Sequence, residues 1–190
     1  MTLDGTRLVT RAAHFAAERH ADQRRKGRRQ WPYFNHLAEV ADLVSEAIKG
    51  DDAALVAAAY LHDTIEDTET TLAELREQFG DDIASLVMEV TDDKSLPKLE
   101  RKRLQIVTAP KKSPRAKLLK IADATSNVRT LEVDPPTDWG TDRMLDYVDW
   151  AEQVIGHCRG RNPFLDTTFV AAAAKARAAI KARIAEGAKA

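Results

Sequence analysis

An apolar, alanine-rich run from Ala53 to Tyr60 passes directly into Leu61-His62-Asp63-Thr64-Ile65-Glu66-Asp67-Thr68. The run is apolar on every side of a helical wheel, which predicts a helix buried in a core. Its end sets one imidazole and three carboxylates at the edge of that core. Such groups are costly to bury unless they are paired or hold a cation. Adjacent residues on a helix point about 100° apart, so His62 and Asp63 can both reach one ion at the helix end. Any further ligands must arrive from elsewhere in the chain.

Two candidates lie far away in the sequence. The first is His36, which follows the aromatic turn Trp31-Pro32-Tyr33-Phe34. Pro32 disfavours helix at Trp31, and Asn35 is a good N-cap for a helix starting near His36. A histidine in a first turn is most often a surface or capping residue. The second is Asp123, flanked by apolar residues in Lys120-Ile121-Ala122-Asp123-Ala124-Thr125-Ser126-Asn127. A buried carboxylate there is either paired with a nearby Lys or Arg, or a metal ligand.

Helical periodicity covers most of the remaining chain. A helix is expected from about Thr6 to Arg24, with Leu8, Ala12, Phe15 and Ala16 inward. It runs into Arg24-Arg25-Lys26-Gly27-Arg28-Arg29, which reads as a solvated helix end favoured by the dipole or as a phosphate clamp. Leu37, Val40, Ala41, Val44 and Ile48 form the next stripe. Asp51 or Asp52 caps the motif helix, and Thr71-Leu72-Ala73-Glu74 is a capping box. Phe79-Gly80 is a stop, and a short helix through Val90 follows.

Lys98 to Val107 reads as a basic helix with Leu99, Leu104, Ile106 and Val107 inward. Ser113-Pro114 opens a long helix. Trp139 to Cys158 and Phe164 to Glu186 give two more, with Gly187 as the last stop. The fold expected is an all-α bundle of roughly eight to ten helices in one domain over residues 1–190, with no repeat and no glycine-rich phosphate loop.

Composition excludes several classes. The 29 Lys+Arg nearly balance 30 Asp+Glu, so net charge gives no reason for a nucleic-acid or membrane partner. Cys158 is the only cysteine, which rules out an intrachain disulfide and a cysteine-based zinc site. No run approaches membrane-spanning length and the start lacks a signal-peptide core, so a cytoplasmic protein is expected. Oligomeric state is not legible.

His36, His62, Asp63 and Asp123 are a mixed imidazole and carboxylate set, which suits Mn²⁺, Fe²⁺ or Zn²⁺. The gaps of 26 residues from His36 to His62 and 60 from Asp63 to Asp123 carry no information by themselves. Glu66 and Asp67 come one turn after the motif pair. They are either an acidic loop cap or the place for a general base.

A histidine on an early helix, His-Asp at the end of another and a later aspartate resemble the HD-domain metal-dependent phosphohydrolases. His-Asp-Thr-Ile-Glu-Asp-Thr is more specific: it resembles the hydrolase domains of the RelA/SpoT family, which remove the 3′-pyrophosphate of guanosine alarmones. Gln23-Arg24-Arg25-Lys26, Pro32-Tyr33-Phe34-Asn35-His36, Val90-Thr91-Asp92-Asp93-Lys94, Leu96-Pro97-Lys98-Leu99-Glu100-Arg101-Lys102-Arg103 and Lys120-Ile121-Ala122-Asp123 extend the likeness from about Arg11 to Ile155. They point to the single-domain members similar to the metazoan SpoT homologue.

That resemblance implies one Mn²⁺ on His36, His62, Asp63 and Asp123, with Glu66 and Asp67 activating or orienting the attacking water. It implies a nucleotide site lined by Arg25, Lys26 and Asn127. Arg143 and Tyr147 would contact distal phosphate and ribose, and Lys98 is a further candidate. For Arg143 and Tyr147 a solvated helix face stays open. The substrate implied is (p)ppGpp. NADPH, whose 2′-phosphate some relatives attack, and a catalytically silent nucleotide-binding module are the alternatives. One departure stands out: Ala124 and Ser126 replace the cationic and bulky residues usual in the family, which bears on pocket shape and substrate preference.

Overall fold

The structure, a computed structural model, describes residues 4–187. Among these, ten α-helices and one 3-10 turn, Ala109–Lys111, surround a single hydrophobic cluster. The Ala53–Leu61 helix (α3) is its axis. Leu55, Val56, Ala57, Ala58, Ala59 and Leu61 are all buried, because neighbours cover it on every side. These are Gly5–Arg19 (α1), Phe34–Ile48 (α2), Asp81–Val90 (α6) and Pro114–Val133 (α8). The three consecutive alanines keep the axis thin, and interaxial distance depends on the side chains at the contact. Leu55 and Leu61, each within 1 % of full burial, contribute about 1.5–3 kcal/mol apiece.

Thr64–Asp67 (α4), a single turn, and Leu72–Phe79 (α5) link α3 to α6. Lys98–Thr108 (α7), Thr141–Gly156 (α9) and Pro163–Gly187 (α10) complete the order, with α10 laid along α8 and α9.

The expected caps at α3, α5 and α8 form. Asp52 accepts from the Leu55 N–H at 2.9 Å, Thr71 from Glu74 N–H at 3.1 Å and Ser113 from Ala116 N–H at 3.2 Å. The capping box is half-made, because the Glu74 carboxylate pairs with Arg19 instead of turning back.

Several boundaries differ from the sequence expectation. The first helix stops at Arg19 rather than Arg24, so the basic run is a loop and the helix dipole does not act on it. That loop is tied down by bridges Arg24↔Pro32 and Gly27↔Pro136. A Cβ on Gly27 would collide with the carboxylate and carbonyl of Asp134, and Asp134 itself accepts from the Arg29 N–H at 3.2 Å. Asn35 is not a cap: Tyr33 holds the N-cap position with helical φ −59° and ψ −31°, since the turn at Pro32 already delivers a helical backbone.

The basic helix α7 buries no residue. Leu99 is 83 % exposed and Val107 49 %, against the inward placement expected of them. α7 meets the body mainly along α9, where Trp150 Nε1 donates to the Lys102 carbonyl at 3.1 Å. The helix expected over Trp139 to Cys158 is confined to Thr141–Gly156. Cys158 sits just past its C-cap, fully buried. Among the described residues no helix is long and apolar enough to cross a membrane.

Candidate active site

Four elements deliver the histidine and aspartate set to one point. His36 lies in the first turn of α2, His62 caps the C-terminus of α3, Asp63 precedes α4 and Asp123 sits in the middle of α8. His36 Nε2 is 3.5 Å from both Asp63 Oδ2 and Asp123 Oδ1. His62 Nε2 is 3.1 Å from Asp63 Oδ2 and 3.8 Å from Asp123 Oδ1. The two imidazole rings are 5.2 Å apart at 67°.

This arrangement fits a divalent cation. His36, His62 and Asp123 offer donor atoms that all lie within 4.8 Å of one another. Neighbouring ligands on a metal–ligand sphere of about 2.1 Å are roughly 3.0–3.5 Å apart. His62 Nε2 is buried with no aligned hydrogen bond although acid oxygens surround it. Its Nδ1 is 2.8 Å from the Ala59 carbonyl, which can only accept, so Nδ1 carries the proton and Nε2 faces the acids.

Electrostatics agree. Burial pushes the Asp63 carboxyl up, but facing His62 and His36 outweigh it and hold it well below the usual range. Burial likewise opposes ionisation of Asp123, and Lys120 with the two histidines reverses it. Burial disfavours charge on His62, yet Asp63 and Asp123 hold it well above its ordinary value. The cluster calls for positive charge at its centre.

Asp123 has a lysine partner on one oxygen and faces the histidines with the other. Its Oδ2 pairs with buried Lys120 at 3.3 Å, while Oδ1 faces the histidines and accepts from Asn127 Nδ2 at 2.7 Å.

Glu66 and Asp67 stand beside the cluster and also tie down the loop of residues 91–97. Glu66 Oε2 accepts from the Asp92 N–H at 3.0 Å, and Asp67 Oδ1 takes the Lys94 ammonium at 2.6 Å. Burial first, then the Asp63 and Asp92 charges, raise the Glu66 carboxyl pKa against the pull of the Asp92 N–H and Lys94. A cavity of about 180 Å³ is lined by His62, Asp63, Glu66, Asp67, Asp123, Asn127 and Tyr147. A larger hollow of about 650 Å³ lies between α8 and α10 and holds none of the histidine and acid set.

The expected nucleotide residues divide into two groups. Arg25, Asn127 and Tyr147 are at the site: Arg25 Nη2 donates to Asn127 Oδ1 at 3.1 Å and Thr130 Oγ1 at 2.6 Å. Burial, then the Asp123 charge, pushes the Tyr147 hydroxyl up. Lys26, Lys98 and Arg143 do not line the cavity. Lys98, depressed by burial and then by Arg143, Lys26 and Arg101, marks a cluster of like charge. Arg101 links it to the acids, 3.9 Å from Glu66. Arg143 lies over the Trp139 ring at 4.4 Å, 3.6 Å from Asp138.

Sequence reasoning missed Tyr33, Lys94 and Lys120. Tyr33 donates to Asp63 Oδ2 at 2.6 Å. Its only signal is its place two residues before Asn35 in an aromatic turn. Lys94 and Lys120 have only their places within the motif stretches.

Comparison with known proteins agrees with this geometry. The HD-domain profile matches residues 12–147. The guanosine-3′,5′-bis(diphosphate) 3′-pyrophosphohydrolase MESH1 of Xenopus tropicalis is 47 % identical over 159 residues, 84 % of this chain and 89 % of that protein. Its Homo sapiens counterpart is 48 % identical over 155 residues, 82 % and 87 % of the respective chains. A solved structure described as a metazoan ortholog of SpoT that hydrolyses ppGpp superposes with a TM-score of 0.85 at 41 % identity, covering 90 % of this chain and 96 % of its own. The chain belongs to the HD-domain family and lies close to its MESH1 members.

Proposed function

We propose that this chain is a metal-dependent 3′-pyrophosphohydrolase of guanosine alarmones, converting (p)ppGpp to GDP or GTP and pyrophosphate. The observation that carries this reading is the approach of His36, His62, Asp63 and Asp123 to 3.1–3.8 Å from four separate elements, with two further acids alongside. The relatives named above are enzymes of this activity.

In this reading the four residues hold one Mn²⁺. A divalent cation there supplies Lewis acidity, polarising a phosphoryl oxygen and acidifying water. Glu66 takes the proton of the attacking water, a task suited to a carboxyl whose proton affinity is raised. Asp67, held by Lys94, orients that water. The water oxygen bonds to the phosphorus attached to the 3′ oxygen. That ester bond breaks, the 3′ oxygen leaves as a hydroxyl by taking up the proton that Glu66 accepted, and pyrophosphate departs.

Arg25, Asn127 and Tyr147 contact the nucleotide beside the cation. Lys26, Lys98, Arg101 and Arg143 face the 5′-phosphates. Without these cations the substrate would meet mainly carboxylates, and repulsion would oppose binding. A cytoplasmic setting fits the same reading, with a nucleotide substrate and a buried free thiol at Cys158.

The test is incubation of purified, Mn²⁺-loaded protein with ppGpp and chromatography of the products. GDP and pyrophosphate in equal amounts are expected, and no product with the metal bound overturns the reading. NADPH run in parallel sets the substrate preference.

A further inference from the structure

We propose that Ser126 and Glu39 form a hydrogen-bond relay that fixes His36 with its proton on Nδ1 and its Nε2 lone pair on the cation site, making both positioning residues for that site. The proposal rests on the cation reading above and deepens it.

Ser126 Oγ lies 2.8 Å from His36 Nδ1 and donates to Glu39 Oε2 at 2.7 Å. The hydroxyl has one proton, and an ionised carboxylate can only accept. The proton therefore goes to Glu39, and the oxygen is left to accept. The partner facing it, His36 Nδ1, must then be the donor. A neutral imidazole protonated on Nδ1 has its free lone pair on Nε2. That atom sits 3.5 Å from Asp63 and Asp123. Arg129 closes the far end, donating from Nη1 to Glu39 Oε1 at 2.8 Å.

The same tautomer is imposed on His62 by the Ala59 carbonyl. One ligand is thus set by backbone, which no substitution removes, and the other by a relay of side chains. Ser126 is 1 % exposed, but it does not serve as filling. A cavity of about 160 Å³ remains on that side of His36, bordered by Glu39, Ser126 and Thr130. The small residue leaves room for Glu39 to reach across from α2 to α8. Ser126 therefore bears on the cation side of the centre, with Arg25 lining the same cavity.

Two measurements on wild type, Ser126→Ala and Glu39→Gln test this. The first is titration of the metal-free proteins with Mn²⁺, and with Co²⁺ followed by its absorption. Removing such an outer partner weakens metal affinity about 10- to 100-fold, and that loss is expected in both variants. The side-chain amide introduced by Glu39→Gln can donate to Ser126, which frees the hydroxyl to point at His36 and undoes the preference. The second is the ¹⁵N signature of the His36 ring in metal-free protein, at a pH where the ring is neutral. Wild type should show Nδ1–H alone, and the variants a mixture.

Glu39 is half-buried, so Glu39→Gln keeps the test valid if Ser126→Ala folds poorly. Wild-type metal affinity in Glu39→Gln, or an Nε2–H ring in wild type, overturns the relay and leaves the cation reading intact. A wild-type protein that takes up neither cation overturns the cation reading, and the relay with it.

Discussion

The Tyr33 hydroxyl donates to Asp63 Oδ2 across 2.6 Å and lies 3.4 Å from Asp67 Oδ2. It joins the turn before α2 to the acids that follow His62. A hydrogen bond to a charged group contributes about 1.5–3 kcal/mol. Tyr33→Phe should therefore release the Asp63 carboxylate, weaken Mn²⁺ binding about tenfold and lower turnover. Metal titration and initial rates check it; unchanged values for both would show that Asp63 does not depend on this tether.

Glu66→Gln keeps a group able to accept from the Asp92 N–H but cannot take a proton. Loss of a general base costs about 10²- to 10⁴-fold in rate. We expect kcat to fall by that factor, with KM for ppGpp and Mn²⁺ affinity little changed. Near-wild-type kcat would remove Glu66 from the proton-transfer role.

Lys98→Ala and Arg143→Ala should raise KM several-fold with a smaller effect on kcat. Both cations stand outside the cavity that holds the acids. Screening acts most strongly on such exposed charges, so the gap between variant and wild type should narrow as salt is raised. KM measured at low and high ionic strength decides it.

Chelation should abolish activity and lower Tm, with both restored by Mn²⁺. Two histidines and two acids then face one another with the cation gone. At 100 times its Kd a bound ligand stabilises the fold by about 2.7 kcal/mol. Calorimetry with and without EDTA measures this, and an unchanged Tm would argue that no cation binds there.

Burial raises the Cys158 thiol pKa above its ordinary value. The folded chain therefore keeps a proton that the unfolded chain releases. The associated stability is present in full below the unfolded value of about 8.5 and is lost as pH rises through the higher folded value. Denaturant midpoints should fall more steeply at alkaline pH in wild type than in Cys158→Ala. A thiol reagent should react only as fast as the chain opens.

The centre of the fold is legible because its signal is local. A helix apolar on every side followed by His62-Asp63 declares both burial and chemistry within a few residues, and Asp52, Thr71 and Ser113 cap helices by contacts three residues away. The failures share a cause as well. Periodicity reports which face of α7 is apolar but not whether anything packs on it, so Leu99 reads as inward and is exposed. Asn35 has the chemistry of a cap, but Pro32 and Tyr33 start the helix earlier. Tyr33 with Asp63, Lys94 with Asp67 and Ser126 with Glu39 are pairs 27 to 87 residues apart. Such pairings exist only once the helices are packed.

Helix α8 presents Lys120, Asp123, Asn127 and Thr130 at steps of three or four residues, with Ser126 next to Asn127, so one rod carries parts of both the cation site and the nucleotide site. An inserted or deleted residue between Leu119 and Lys120 would turn everything beyond it by about 100° relative to the preceding part of the helix. Single side-chain exchanges along that rod can retune this centre, but lengthening or shortening it would dismantle the whole constellation in one step.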